Sequence, residues 1–187
     1  MPPTSDSLIT APGATVWLTG LPSAGKTTVA FAAAELLRAG GRPVEVLDGD
    51  EIRAFLSADL GYSREDRAKQ VARVGWIGRL LARNGIVAFA PLVSPYADDR
   101  DALKAESEAE GLTFVEVYAA APVDVCSERD VKGLYARQRS GAVSGLTGVD
   151  APYEAPTAPD LVLKTHEESA ADSAARLVAL LTERGLA

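Results

Sequence analysis

The sequence has one cysteine, Cys126, and one histidine, His166. A lone thiol excludes an internal disulfide, which fits a reducing cytoplasm. With so few soft ligands, no Cys/His cluster has metal-binding spacing, and no structural zinc is expected. No apolar run approaches the roughly 20 residues needed to cross a bilayer, so no membrane association is expected. Cations are in the minority: 19 Lys and Arg against 26 Asp and Glu leave a net charge of −7. That balance argues against a nucleic-acid partner, since a binding groove needs clustered positive charge. The first residues hold no basic segment ahead of an apolar stretch, so no secretory signal is read. Residues 1–12 are expected to form a short disordered lead-in.

What is present is a chain of 187 residues, 47% of them apolar. That suffices for one domain over residues 13–187 with its own core. Apolar, β-rich runs alternate with helical patterns. Strands are expected at Thr15–Thr19, Val44–Leu47, Ile86–Ala90, Phe114–Ala119 and Leu161–Leu163. Helices are expected at Lys26–Ala39, Glu51–Ala58, Glu65–Asn84, Asp98–Gly111, Ala121–Arg129 and Ser169–Arg184. In the first helix, Val29, Ala33, Leu36 and Leu37 share the face expected to be buried. The alternation predicts an α/β fold: a mostly parallel five-stranded sheet with helices on both faces. Ligands of such sheets bind at the carboxyl ends of the strands. Between Asp130 and Pro159 the pattern dissolves into Gly, Ser, Thr and Pro. A loop of that length in a compact domain reads as a lid, placed at about residues 129–159.

Residues Gly20-Leu21-Pro22-Ser23-Ala24-Gly25-Lys26-Thr27 match the phosphate-binding pattern of Gly, four residues, Gly, Lys and Ser or Thr. The glycines let backbone N–H groups form an anion nest, and the following helix adds its positive end. Lys26 would reach the β- and γ-phosphates of ATP, and the Thr27 hydroxyl would ligate Mg²⁺. After the second strand comes Asp48-Gly49-Asp50, with Arg53 one turn on. Either carboxylate can accept a proton from an acceptor hydroxyl or hold a metal-bound water, and Arg53 can clamp an anion. The bland reading of the same residues is a turn, a helix cap and a surface ion pair. Ser63 followed by Asp66 reads as a cap for the long helix, with Tyr62 and Arg67 free to face a pocket. Arg129, Lys132, Arg137 and Arg139 stand against Asp130 alone, a local excess suited to a lid that brings cations over phosphates. Cys126 reads as a small buried hydrophobe, His166 as a surface residue, and Trp17 and Trp76 as core.

In order and spacing, Gly20–Thr28, Leu47–Arg53, Asp59–Arg67, Ser94–Tyr96, Asp130–Tyr135, Leu146–Asp150 and Pro152–Pro156 resemble the adenylyl-sulfate kinases. The likeness covers about Thr15 to Leu163. It implies a nucleoside-monophosphate-kinase-like fold, commonly a homodimer, with ATP and Mg²⁺ as cofactors. The implied reaction phosphorylates the ribose 3′-hydroxyl of adenosine 5′-phosphosulfate. Asp48 and Asp50 fall where that family has its catalytic acids. Thr28 and Arg129 join the phosphate loop at the ATP site. Asp50, Arg53, Tyr62, Arg67, Gln70, Val93, Ser94, Lys132, Gly145 and Leu146 would line the acceptor site, with Tyr62 and Leu146 against the two faces of the adenine. Ser94 matches a serine phosphorylated in some members and is read here as a substrate-site residue. The chain departs from the family pattern at Gln70 for Asn, Ala97 for Arg, Leu146 for Phe and Ala151 for an acid. A kinase of another small nucleotide, or an ATP-binding module without catalysis, are the alternatives.

Overall fold

A computed structural model describes residues 11–187; the expected lead-in lies almost wholly outside the described residues. The elements run β1 (Ala14–Thr19), α1 (Lys26–Ala39), β2 (Val44–Val46), α2 (Gly49–Phe55), α3 (Arg64–Arg83), β3 (Val87–Pro91), α4 (Ala97–Ala109), β4 (Thr113–Ala119), α5 (Val123–Arg129), α6 (Leu134–Arg139), β5 (Leu161–Leu163) and α7 (Ala170–Glu183). The sheet order is β2-β3-β1-β4-β5, and every pairing is parallel. The expected α/β architecture is therefore the observed one.

β1 sits at the centre and is buried along its whole length. Its alternate residues serve two cores, as the period of a strand requires. Ala14, Val16 and Leu18 pack with α1 and α7, where Leu177 and Leu181 close the layer. Trp17 packs on the other side with Val71 and Val74 of α3 and Leu103 of α4. Two expectations about faces fail for one reason. Trp76 is 54% exposed and Leu36 is 49% exposed. The buried stripe of α1 is built on Ala30, Ala33 and Ala34, and that of α3 on Gly75 and Gly78. Small residues let both helices lie close to the sheet and push the large side chains outward. A Cβ added at Gly78 would come within 2.9 Å of Thr15 on β1.

Ser63 caps α3 as expected, its hydroxyl accepting from the Asp66 N–H at 3.1 Å. The segment expected as a long loop over about residues 129–159 contains α6. That helix escapes the sequence pattern because it is six residues long and bounded by glycines, Gly133 at its start and Gly141 beyond its end. Tyr135 of α6 is buried, and its hydroxyl donates to the Pro22 carbonyl at 3.0 Å. Cys126 is buried as expected, and burial pushes its thiol pKa up. No helix among the described residues is long and apolar enough to cross a membrane.

Candidate active site

One cleft of about 710 Å³ opens along the carboxyl ends of β1, β2 and β3. The β1–α1 turn forms one end. Gly25 and Ser23 take left-handed backbone conformations, with φ of 88° and 63°. Glycine does so freely; a residue with a Cβ bears a cost of order 1–3 kcal/mol. Among the described residues, the backbone N–H groups of Ser23, Gly25, Lys26 and Thr27 have no acceptor. These are the donors of a nest that meets an anion. Lys26 Nζ donates to the carbonyls of Gly20 and Leu21 at 2.9 and 2.7 Å. Burial pushes the Lys26 pKa down to about 7. Pro22, Ser23, Gly25, Lys26, Thr27 and Thr28 line the cleft. Gly20, Leu21 and Ala24 do not: they shape the loop from behind, Ala24 inside a small core with Ala121 and Cys126. Arg129 lines the same end and donates to the Thr165 carbonyl at 2.6 Å, while the Thr165 hydroxyl donates to Ala24 O at 2.7 Å. No sequence motif marks Thr165; only this contact does.

Asp48 and Asp50 both line the cleft and differ sharply. Asp48 caps α2, its Oδ1 accepting from the N–H groups of Asp50 and Glu51 at 3.0 and 3.3 Å. Its Oδ2 accepts from the Thr27 hydroxyl at 3.2 Å. Both of its oxygens are thus engaged. Asp50 is exposed, and among the described residues its one side-chain partner is Lys132, from the segment between α5 and α6. The bland reading of this segment, a cap and an ion pair, is correct alongside any catalytic one. An exposed pair of this kind contributes little stability, typically under about 1 kcal/mol, and opens readily.

The far end is lined by Arg53, Tyr62, Arg67, Gln70, Val93, Ser94, Gly145 and Leu146. All of these residues, expected from the sequence at an acceptor site, line the same cleft. Arg53 lies 4.5 Å and Arg67 5.6 Å from the Tyr62 ring centre, so two guanidinium groups flank one aromatic face system. Arg67 also ties α3 to residues 145–147, donating to Gly145 O at 2.8 Å and the Thr147 hydroxyl at 3.0 Å. Burial holds its pKa below the ordinary arginine value. Gln70 is 4% exposed, and neither carboxamide atom has a hydrogen-bond partner among the described residues. A buried amide left unpaired costs about 1–3 kcal/mol. Ser94 is buried, with a left-handed φ of 38°, and its hydroxyl accepts from Trp17 Nε1 at 2.9 Å. Of the four cations between residues 129 and 139, Arg129, Lys132 and Arg137 line the cleft. Arg139 does not: it turns away to the Ser127 hydroxyl at 2.8 Å.

The cleft therefore joins an anion nest, two carboxylates and a cationic, partly aromatic pocket. Residues 12–164 match the family described as adenylylsulphate kinase. An adenylyl-sulfate kinase of Picosynechococcus sp. is 44% identical over 173 residues, covering 92% of this chain and 96% of its own. Another, of Myxococcus xanthus, is 45% identical over 174 residues, 93% of this chain and 94% of its own. Among solved structures, the Mycobacterium tuberculosis APS kinase in complex with AMPPNP and APS gives a TM-score of 0.89 at 39% identity, over 92% of this chain and 99% of that one. The ordered motifs, the sheet topology and these likenesses agree, and the chain belongs to the adenylyl-sulfate kinase family of P-loop kinases.

Proposed function

We propose that this protein transfers the γ-phosphoryl group of ATP to the 3′-hydroxyl of adenosine 5′-phosphosulfate, giving 3′-phosphoadenosine 5′-phosphosulfate and ADP. The observation that carries this reading is the division of one cleft. Unpaired amides and Lys26 lie at one end, arginines and an orphaned buried amide at the other, and two carboxylates between them. The triphosphate belongs at the nest, held by the Ser23–Thr27 amides and Lys26. Mg²⁺ fits the hard oxygens of Thr27 and Asp48, and when bound it neutralises charge on the phosphate oxygens. Asp48 is committed to α2 and Thr27, which leaves Asp50, once its exposed pair with Lys132 opens, to take the acceptor proton. Adenylyl sulfate then occupies the far end. Tyr62 and Leu146 hold its base, Arg53, Arg67 and Lys132 meet its anionic groups, and Gln70 and the Val93–Ser94 backbone supply neutral contacts. The cytoplasmic location and the homodimer implied by the family belong to the same proposal.

An assay of ADP release over a panel of nucleotides tests the acceptor. Adenylyl sulfate is expected to give the highest kcat/KM. Faster turnover of any other nucleotide would overturn the substrate assignment while leaving ATP use intact.

The lowered Lys26 pKa carries its own expectation. A triphosphate beside Nζ raises that pKa, so Mg-ATP binding at pH 8 should take up close to one proton, and at pH 6 almost none. Calorimetry in two buffers of different ionisation enthalpy reads this directly. A buffer-independent enthalpy at pH 8 would contradict it. The sign for stability follows from the same shift. Between about 7 and 10.5 the unfolded lysine binds more protons than the native one, so this contribution to stability grows as pH rises through that window.

A further inference from the structure

Arg100 of α4 is 2% exposed and does not line the cleft. Each of its three guanidinium nitrogens nonetheless donates one hydrogen bond. Nε donates to Glu116 Oε1 at 2.8 Å, Nη1 to the Ser94 carbonyl at 2.7 Å and Nη2 to the Glu154 carbonyl at 2.8 Å. One planar group thus joins β4, the loop after β3 and the returning limb of the lid. A second set of bonds joins the same loop and limb. Glu154 N–H donates to Pro95 O at 2.8 Å, and Glu154 Oε2 accepts from Ala97 N–H at the start of α4 at 2.7 Å.

The loop needs such holding. Ser94 carries a Cβ at φ 38°, and a backbone of that kind persists only where its surroundings over-determine it. Thr19 Oγ1 donates to Val93 O at 2.8 Å, and Arg100 takes Ser94 O. The two carbonyls are therefore pinned by protein. The N–H groups of Val93 and Ser94, residues that line the cleft, have no acceptor among the described residues. We propose that Arg100 is a positioning residue for the acceptor nucleotide: it holds Ser94 in the left-handed conformation, so that the Val93 and Ser94 amides are presented to an acceptor oxygen, and it sets the lid limb at Glu154 in register with that loop. The inference rests on the acceptor lying at Val93–Ser94, as in the proposed function.

A buried arginine with a merely structural role would change melting temperature and active fraction but neither Michaelis constant. The test is steady-state kinetics of Arg100→Lys and Arg100→Met, with a crystal structure of Arg100→Lys. Lysine keeps the charge for Glu116 but cannot span both carbonyls. The KM for adenylyl sulfate should rise about tenfold in Arg100→Lys, by analogy with other misplaced contacts. The KM for Mg-ATP should stay within about twofold of wild type. In the crystal, Ser94 should leave the left-handed region. Glycine adopts that region unaided, so in a Ser94→Gly background the lysine substitution should cost less acceptor affinity than it does in the wild type. If Arg100→Met fails to fold, Arg100→Lys carries the same comparison. Equal movement of both KM values, no movement of either, or Ser94 unchanged at positive φ would overturn the proposal. If the wild type does not turn over adenylyl sulfate, the reading of function falls, and the Ser94 conformation in the variant still decides the role of Arg100.

Discussion

Lys26→Met lowers phosphoryl transfer by roughly 100- to 1,000-fold in an ADP-release assay, the loss seen when one preorganised donor is taken from developing charge. The argument begins with burial. Lys26 sits beneath the nest, with carbonyls as its hydrogen-bond partners. Keeping an ammonium there is costly, which is why its pKa falls to about 7. A group held at such cost in the folded state serves something other than folding. Methionine keeps the stem and removes the charge, so thermal stability should be retained or raised while transfer collapses. Turnover near the wild-type rate would remove Lys26 from the mechanism. A fall in melting temperature that parallels the loss of activity would make the lysine structural.

Asp50→Asn should lower kcat by roughly 10²- to 10⁴-fold, the usual contribution of a positioned general base. The KM for Mg-ATP should hardly change, because the Asp50 side chain makes no bond to the phosphate loop. Asp48→Asn should behave differently. Asparagine also caps helices well, so α2 should survive, while the exchange weakens the oxygen pair that Thr27 and Asp48 offer a cation. Its expected mark is a higher magnesium requirement for turnover. Should Asp48→Asn abolish kcat at saturating magnesium while Asp50→Asn retains it, the two roles are reversed.

Much of this site was legible because it is written in local spacing. A phosphate loop needs glycines and a lysine at fixed offsets, whatever surrounds it, so Gly20–Thr27 is visible without a structure. The Ser63 cap is equally local. What stayed hidden depends on distance in sequence. The Thr165 hydroxyl that supports Ala24 lies 141 residues away from it. Tyr135 props Pro22 from a helix too short to show a period. Nothing in sequence distinguishes Asp48 from Asp50, since their difference is which one Thr27 and the α2 amides occupy. Trp76 misled because aromatic size suggests burial, whereas Gly75 and Gly78 had already taken the close face of α3.

The departures from the family pattern also gain physical content. Gln70, one methylene longer, is buried among the residues that line the cleft, and neither carboxamide atom has a hydrogen-bond partner among the described residues. At Ala97 the backbone N–H is held by Glu154. Leu146 is buried at the cleft wall, apolar but without an aromatic face.

A crystal structure with Mg²⁺, a non-hydrolysable ATP analogue and adenylyl sulfate tests the central claim most directly. The account requires the triphosphate on the Ser23–Thr27 amides, the adenylyl base between Tyr62 and Leu146, and the ribose 3′-hydroxyl within hydrogen-bonding reach of Asp50. An acceptor bound elsewhere, or one that turns its sulfate rather than its 3′-hydroxyl toward Asp50, would contradict it.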